Sequence, residues 1–148
     1  MAMTQGSILQ VAAELANLAV VRHFVEEMAT GLKFDCSVID DMLQAVEEAV
    51  ANTILHGYHR RPGEIQVEVQ REGSGLVVRL RDQAPHFDPT GFPPPDLTLP
   101  LEERRPGGLG IYLMRQFTDT VTHRVTSDGS NELTLVKKQT ATRDKGDK

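Results

Sequence analysis

Glu48, Asn52 and His56 follow one another at four-residue steps in the stretch EEAVANTILHGY, residues 47–58. On an α-helix each residue advances about 100°, so this spacing lines the three side chains up along the axis. A carboxylate and an amide oxygen one turn apart suit two kinds of chemistry. They can serve a hard cation, which takes oxygen ligands, or they can orient a water or a hydroxyl for proton transfer. A solvated polar face is the plainer account of any isolated Glu/Asn pair. Two features argue against it here. Asn is a poor mid-helix residue because its amide competes for backbone hydrogen bonds. Ala45, Ala49 and Ala51 around it leave room for something bulky. Ile39, Met42, Leu43, Val46, Val50 and Thr53 fall in one arc, the expected core face, with Glu48 and Asn52 opposite and Asp41 and Ala45 beside them. Glu47 points elsewhere.

Two other stretches carry chemistry. In RPGGLGI, Gly107, Gly108 and Gly110 lead into a helix. Free N–H groups at a helix N-terminus bind phosphate, and glycine lets the ligand come close. A flexible loop with a glycine helix start explains the run equally well. In RLRDQAPHFDP, Asp82 ends a strand and enters a long loop. Such an Asp is often a turn residue, but it is also placed to accept a hydrogen bond from a ligand amine. His56 reads as a helix-end residue that bonds locally, since metal ligation would need a second His or Cys nearby. Cys36, the only cysteine, reads as a small buried or half-buried residue.

The elements that position these residues follow from periodicity. SILQVAA is a short apolar run, expected to be an edge strand. From Glu14 to Thr30 apolar residues recur at helical spacing, and Gly31 sits where a helix commonly ends. A second helix is expected from Ser37 to Tyr58, broken by Pro62 and Gly63. EIQVEVQ and LVVRLRD form a hairpin across EGSG, and TVTHRVT and ELTLVKK form another across SDGS. Between them lie residues 83–108, rich in Pro and Gly and too long for an ordinary connection, then the short helix GLGIYLMRQFTD. Hairpins place the helices on one face, giving an α/β two-layer sandwich with a mixed, mostly antiparallel sheet. The strand–helix alternation of a Rossmann fold is missing.

The 148 residues suit one domain, taken as 1–139 with a polar tail over 140–148. A net charge of −5 argues against a general grip on nucleic acid or anionic membrane. A single cysteine excludes a disulfide framework and a thiolate metal cluster. No apolar run is long enough to span a bilayer and the N-terminus lacks signal-peptide character, so a cytoplasmic protein is expected.

In order and spacing these pieces resemble the Bergerat ATP-binding fold of the GHKL superfamily, shared by histidine kinases and gyrase-type ATPases. Within it, the chain resembles the small anti-sigma-factor serine/threonine kinases of bacterial partner-switching systems. EAVANTILHGY is the most specific piece, with VVRHFVEEM before it and NELTLVKK at the end. The resemblance implies ATP and Mg²⁺ as cofactors, and it implies roles. Asn52 would hold Mg²⁺, Glu48 would be the general base, and Asp82, followed by Ala84, would bind the adenine amino group. Gly107, Gly108, Leu109 and Gly110 would wrap the phosphates, residues 88–106 would form the ATP lid, and Arg104 or Arg105 would reach the γ-phosphate. It also implies the partners: a STAS-type anti-anti-sigma protein, a sigma factor and a second copy in a homodimer. The alternative within the same fold is a nucleotide-gated binding module without phosphoryl transfer. Ala84 departs from the family's D-x-G. If the backbone is left-handed there, alanine carries about 1 kcal/mol or more of strain.

Overall fold

The computed structural model describes residues 3–85 and 108–140. The expected lid, Arg104, Arg105, Gly107 and the tail from 141 onward lie outside the described residues.

The chain runs β1 (Met3–Gln5), β2 (Ile8–Ala12), a 3₁₀ turn (Leu15–Asn17), α1 (Leu18–Gly31), α2 (Cys36–Asn52), a π turn (Thr53–Gly57), β3 (Glu64–Glu72), β4 (Gly75–Asp82), α3 (Gly108–Phe117), β5 (Thr120–Val125) and β6 (Asn131–Lys138). The strands form one six-stranded sheet in the order β1-β2-β3-β4-β6-β5. Every described pairing is antiparallel. Period-two alternation puts Val67, Val69, Val78, Leu80, Leu133 and Leu135 on one face. There they join a single buried cluster with Val21, Val25, Met42, Val46, Val50, Ile111 and Met114 of the helices. All three helices therefore contribute to one core, as a two-layer sandwich requires.

The opposite face of the sheet is a polar lattice. Arg81 donates to Glu132 (2.7 Å), Glu68 (2.9 Å) and Gln66 (2.9 Å), and Arg124 donates to Glu132 at 2.6 Å. Glu132 is buried beneath these arginines.

Several boundaries differ from the sequence reading, each for a local reason. SILQVAA is not the edge. Its strand β2 pairs with β3 on one side and β1 on the other, and the short β1 was hidden because Gly6, at φ +61°, turns the chain after only three strand residues. A 3₁₀ turn precedes α1, and α1 continues through Gly31. The left-handed residue that ends it is Lys33, at φ 70°. Lys33 N–H bonds Thr30 O and Phe34 N–H bonds Ala29 O, the two bonds of a Schellman cap.

The second helix does not run regularly to Tyr58. It widens after Asn52 into the π turn, closed by Tyr58 N–H on Thr53 O at 2.8 Å. The buried arc of α2 is also wider than its apolar residues alone suggest. It packs against α1, α3, β4 and β6. Ala45 (0% exposed), Ala49 (1%) and Asn52 (9%) are buried with the expected core residues, whereas Thr53 is only half-buried. The alanines thus allow close helix packing, and less of their space is left for a ligand than the sequence suggests.

Candidate functional site

The end of α2, the end of β4 and the start of β6 meet in one small pocket. Asn52, Thr53, Gly57, Asp82, Ala84 and Asn131 line it, with His123 of β5 at one side. Asp82 reaches it because it continues the alternation of Val78 and Leu80, so its carboxylate sits on the helix face of the sheet where an apolar side chain would otherwise stand. Its cross-strand partner is Asn131. The Asn131 amide donates to Asp82 Oδ1 at 2.9 Å and to Ala84 O at 3.0 Å, and Ala84 N–H donates to the same Oδ1 at 2.9 Å. His123 Nε2 lies 3.2 Å from Asn131 Oδ1. Two donors therefore occupy Asp82 Oδ1. Among the described residues Oδ2 receives none, which leaves it able to accept from a ligand amine.

Ala84 is 4% exposed and is not among the residues with positive φ. The strain expected for a left-handed alanine does not arise, because Ala84 N–H turns back onto the Asp82 carboxylate within an ordinary backbone conformation. Gly57 matters more. A Cβ built on it would stand 3.3 Å from the Ala84 Cβ, so glycine at 57 lets the π turn close against alanine at 84.

Asn52 is buried, yet its side chain forms no hydrogen bond with any described residue. A buried amide without partners is costly, about 1–3 kcal/mol, and in a native structure it points to a missing ligand or water. One turn earlier, Glu48 is half-buried and likewise has no hydrogen bond or ion pair among the described residues. Burial raises its pKa above the ordinary 4.5, and the neighbouring Glu47 charge raises it further. Glu47 itself turns toward α1 and pairs with Arg22, as its place on the helix predicts.

The donor set suits Mg²⁺ held partly by a ligand. Among the described residues no group of three His, Cys, Asp or Glu forms a metal cage. Mg²⁺ commonly takes one or two protein oxygens and completes its shell with water and phosphate, and the orphaned Asn52 amide would fit such a shell as one oxygen donor. Gly108 and Gly110 open α3 as expected. His56 is exposed and forms no local bond among the described residues, contrary to expectation, because the π turn carries it off the line of Glu48 and Asn52. Cys36 is exposed rather than buried, at the first residue of α2.

The sequence profile of the histidine kinase-like ATPase domain matches residues 11–137, which span every element of the site. The chain belongs to the histidine kinase-like ATPase domain family. Curated relatives of this ATPase domain include proteins named serine-protein kinase RsbW from Bacillus thuringiensis (strain Al Hakam) and Bacillus cereus (strain 03BB102). Each is 26% identical over 117 residues, covering 76% of this chain and 73% of the relative. The protein of the same name from Bacillus anthracis (strain A0248) matches to the same extent.

Asn131, His123 and Gly57 escaped the sequence reading. For Asn131 a signal existed: Asn is disfavoured in strands, yet it opens an apolar strand in NELTLVKK.

Proposed function

We propose that the protein is an ATP-dependent serine/threonine protein kinase that acts as a cytoplasmic anti-sigma factor. It would phosphorylate a STAS-type anti-anti-sigma protein and sequester a sigma factor. The orphaned, buried Asn52 amide in the same pocket as Asp82 carries the reading. It is supported by family membership and by relatives named serine-protein kinase.

In this reading Asp82 Oδ2 accepts a hydrogen bond from the adenine amino group, while Asn131 and Ala84 keep the carboxylate oriented. The backbone N–H groups at the N-terminus of α3, from Gly108 to Gly110, would bind the phosphates, with Leu109 among them and Gly107 preceding them in sequence. Asn52 would hold Mg²⁺, which when bound would supply neutralisation of phosphate charge. Glu48 takes the proton as a serine or threonine oxygen bonds to the γ-phosphorus and the bond from that phosphorus to the bridging oxygen breaks, releasing ADP. A carboxylate with a raised pKa is a better proton acceptor than an ordinary one. The alternative of a binding module without transfer drew its support from strain at Ala84, and that strain is absent.

Calorimetric titration with ATP tests the reading. Millimolar ATP with Mg²⁺ is expected to bind, and Asn52→Ala to weaken binding about tenfold with Mg²⁺ but little without it. Absence of binding by the parent protein contradicts the reading. Equal losses with and without metal would make Asn52 structural.

A further inference from the structure

Tyr58 stands where the π turn passes into the loop before β3. It is 8% exposed although it belongs to neither a helix nor a strand. Its ring packs against Gly63, where a Cβ would come within 2.3 Å of a ring carbon. Its hydroxyl donates to Glu64 O at 2.8 Å and accepts from Gln83 N–H at 2.8 Å. Burial raises the phenol's pKa, so the neutral hydroxyl persists and can donate and accept together. The chain adopts left-handed backbone at two successive non-glycine residues, His59 (φ 55°) and Arg60 (φ 62°), directly after it. Strain of this kind persists only where surrounding structure enforces it.

One oxygen thus joins three places in the chain: the exit of the π turn that follows α2, the start of β3 and the residue just after β4. Gln83 lies between Asp82 and Ala84, the two residues that build the carboxylate side of the pocket. Its side chain is tied as well, to Ser130. The bonds that orient Asp82 Oδ1 come from Ala84 N–H and from Asn131, whose amide also grips Ala84 O. Both depend on where the main chain at 83–84 stands, and Tyr58 anchors that main chain to the helix that carries Asn52.

We infer that Tyr58 is a positioning residue for base recognition: its hydroxyl fixes the Gln83 main chain and so the direction in which Asp82 presents its free oxygen to an exocyclic amine of a purine base. The inference rests on the nucleotide-binding reading of the pocket. Without the hydroxyl, Gln83 N–H and Glu64 O lose their partner. The segment can then relax away from the π turn and the Asp82 oxygen loses its aim. A purine bearing an oxo group in place of the amine gains nothing from Asp82 and is indifferent to the change.

Competition binding of ATP and inosine triphosphate to the parent protein and to Tyr58→Phe provides the test, with melting temperatures measured alongside. Phenylalanine keeps the ring on Gly63. The parent is expected to prefer ATP by about tenfold or more. In Tyr58→Phe the preference should fall below about threefold while inosine triphosphate binds within about twofold of parent. A folded variant with a lowered melting temperature and an unchanged ATP preference overturns the inference and leaves Tyr58 purely structural. If Tyr58→Phe does not fold, 3-fluorotyrosine in a Tyr112→Phe background makes the hydroxyl a poorer acceptor while keeping it in place and adding only one small ring substituent. Tyr58 and Tyr112 are the only tyrosines. The ATP preference should then fall by about twofold, and an unchanged preference overturns the inference. A parent protein that binds ATP without preferring it overturns the inference alone. One that binds neither nucleotide overturns the nucleotide reading and the inference with it.

Discussion

Glu48 is held in the fold at a cost. Burial and then the Glu47 charge raise its pKa above 4.5. The folded chain therefore holds that proton more tightly than the unfolded chain does. The contribution of Glu48 to stability is full below its unfolded pKa and declines as pH rises through the raised folded value. Glu48→Gln should remove that decline. The stability difference, variant minus parent, should grow with rising pH and level off towards neutrality, as read by urea unfolding across that range. A variant that loses stability at neutral pH would mean that the ionised carboxylate has a stabilising partner. At this scale legibility depended on misfit. Glu48 and Asn52 were visible in the sequence because Asn is wrong for a helix interior, and Asp82 because it ends a strand at the entry to a long loop. Asn131 and Tyr58 contribute through partners 49 and 25 residues away respectively, and no local spacing encodes those contacts.

The ends of the helices were the least legible elements. Gly31 looks like the stop of α1, yet the cap is set by where Phe34 can be buried, and that places the left-handed position on Lys33. The cap retains a non-glycine residue at φ 70°, so Lys33→Gly should relieve strain. The expected gain is about 0.5–1 kcal/mol, or roughly 1–3 °C in melting temperature, with nucleotide binding unchanged. A fall in melting temperature would show that the lysine side chain, near the negative end of the helix dipole, outweighs its backbone. The π turn after Asn52 was hidden for a related reason. Apolar spacing in TILHGY fits a regular helix, and the close approach of Gly57 to Ala84 across the pocket is a long-range contact that this spacing does not encode.

For the molecule as a whole, two hairpins and three helices imply a sheet covered on one face, and alternation assigns nearly every strand residue to its side. What remained illegible was the depth of α2, which packs against α1, α3, β4 and β6 and so buries Asn52 at its end. That burial turns a polar helix residue into an orphaned pocket amide and raises the Glu48 pKa. The whole arrangement is proposed to serve phosphoryl transfer to a partner protein, and radiolabelled transfer from ATP to a cognate STAS-type protein tests it most directly. The assay compares the parent, Glu48→Gln and Glu47→Gln at saturating nucleotide and partner. The parent is expected to transfer label and Glu47→Gln to differ little, since Glu47 pairs with Arg22 away from the pocket. Glu48→Gln should bind both ligands and transfer about 10²-fold or more slowly. A parent that binds ATP and partner but transfers no label, or a Glu48→Gln variant as fast as the parent, would contradict the account.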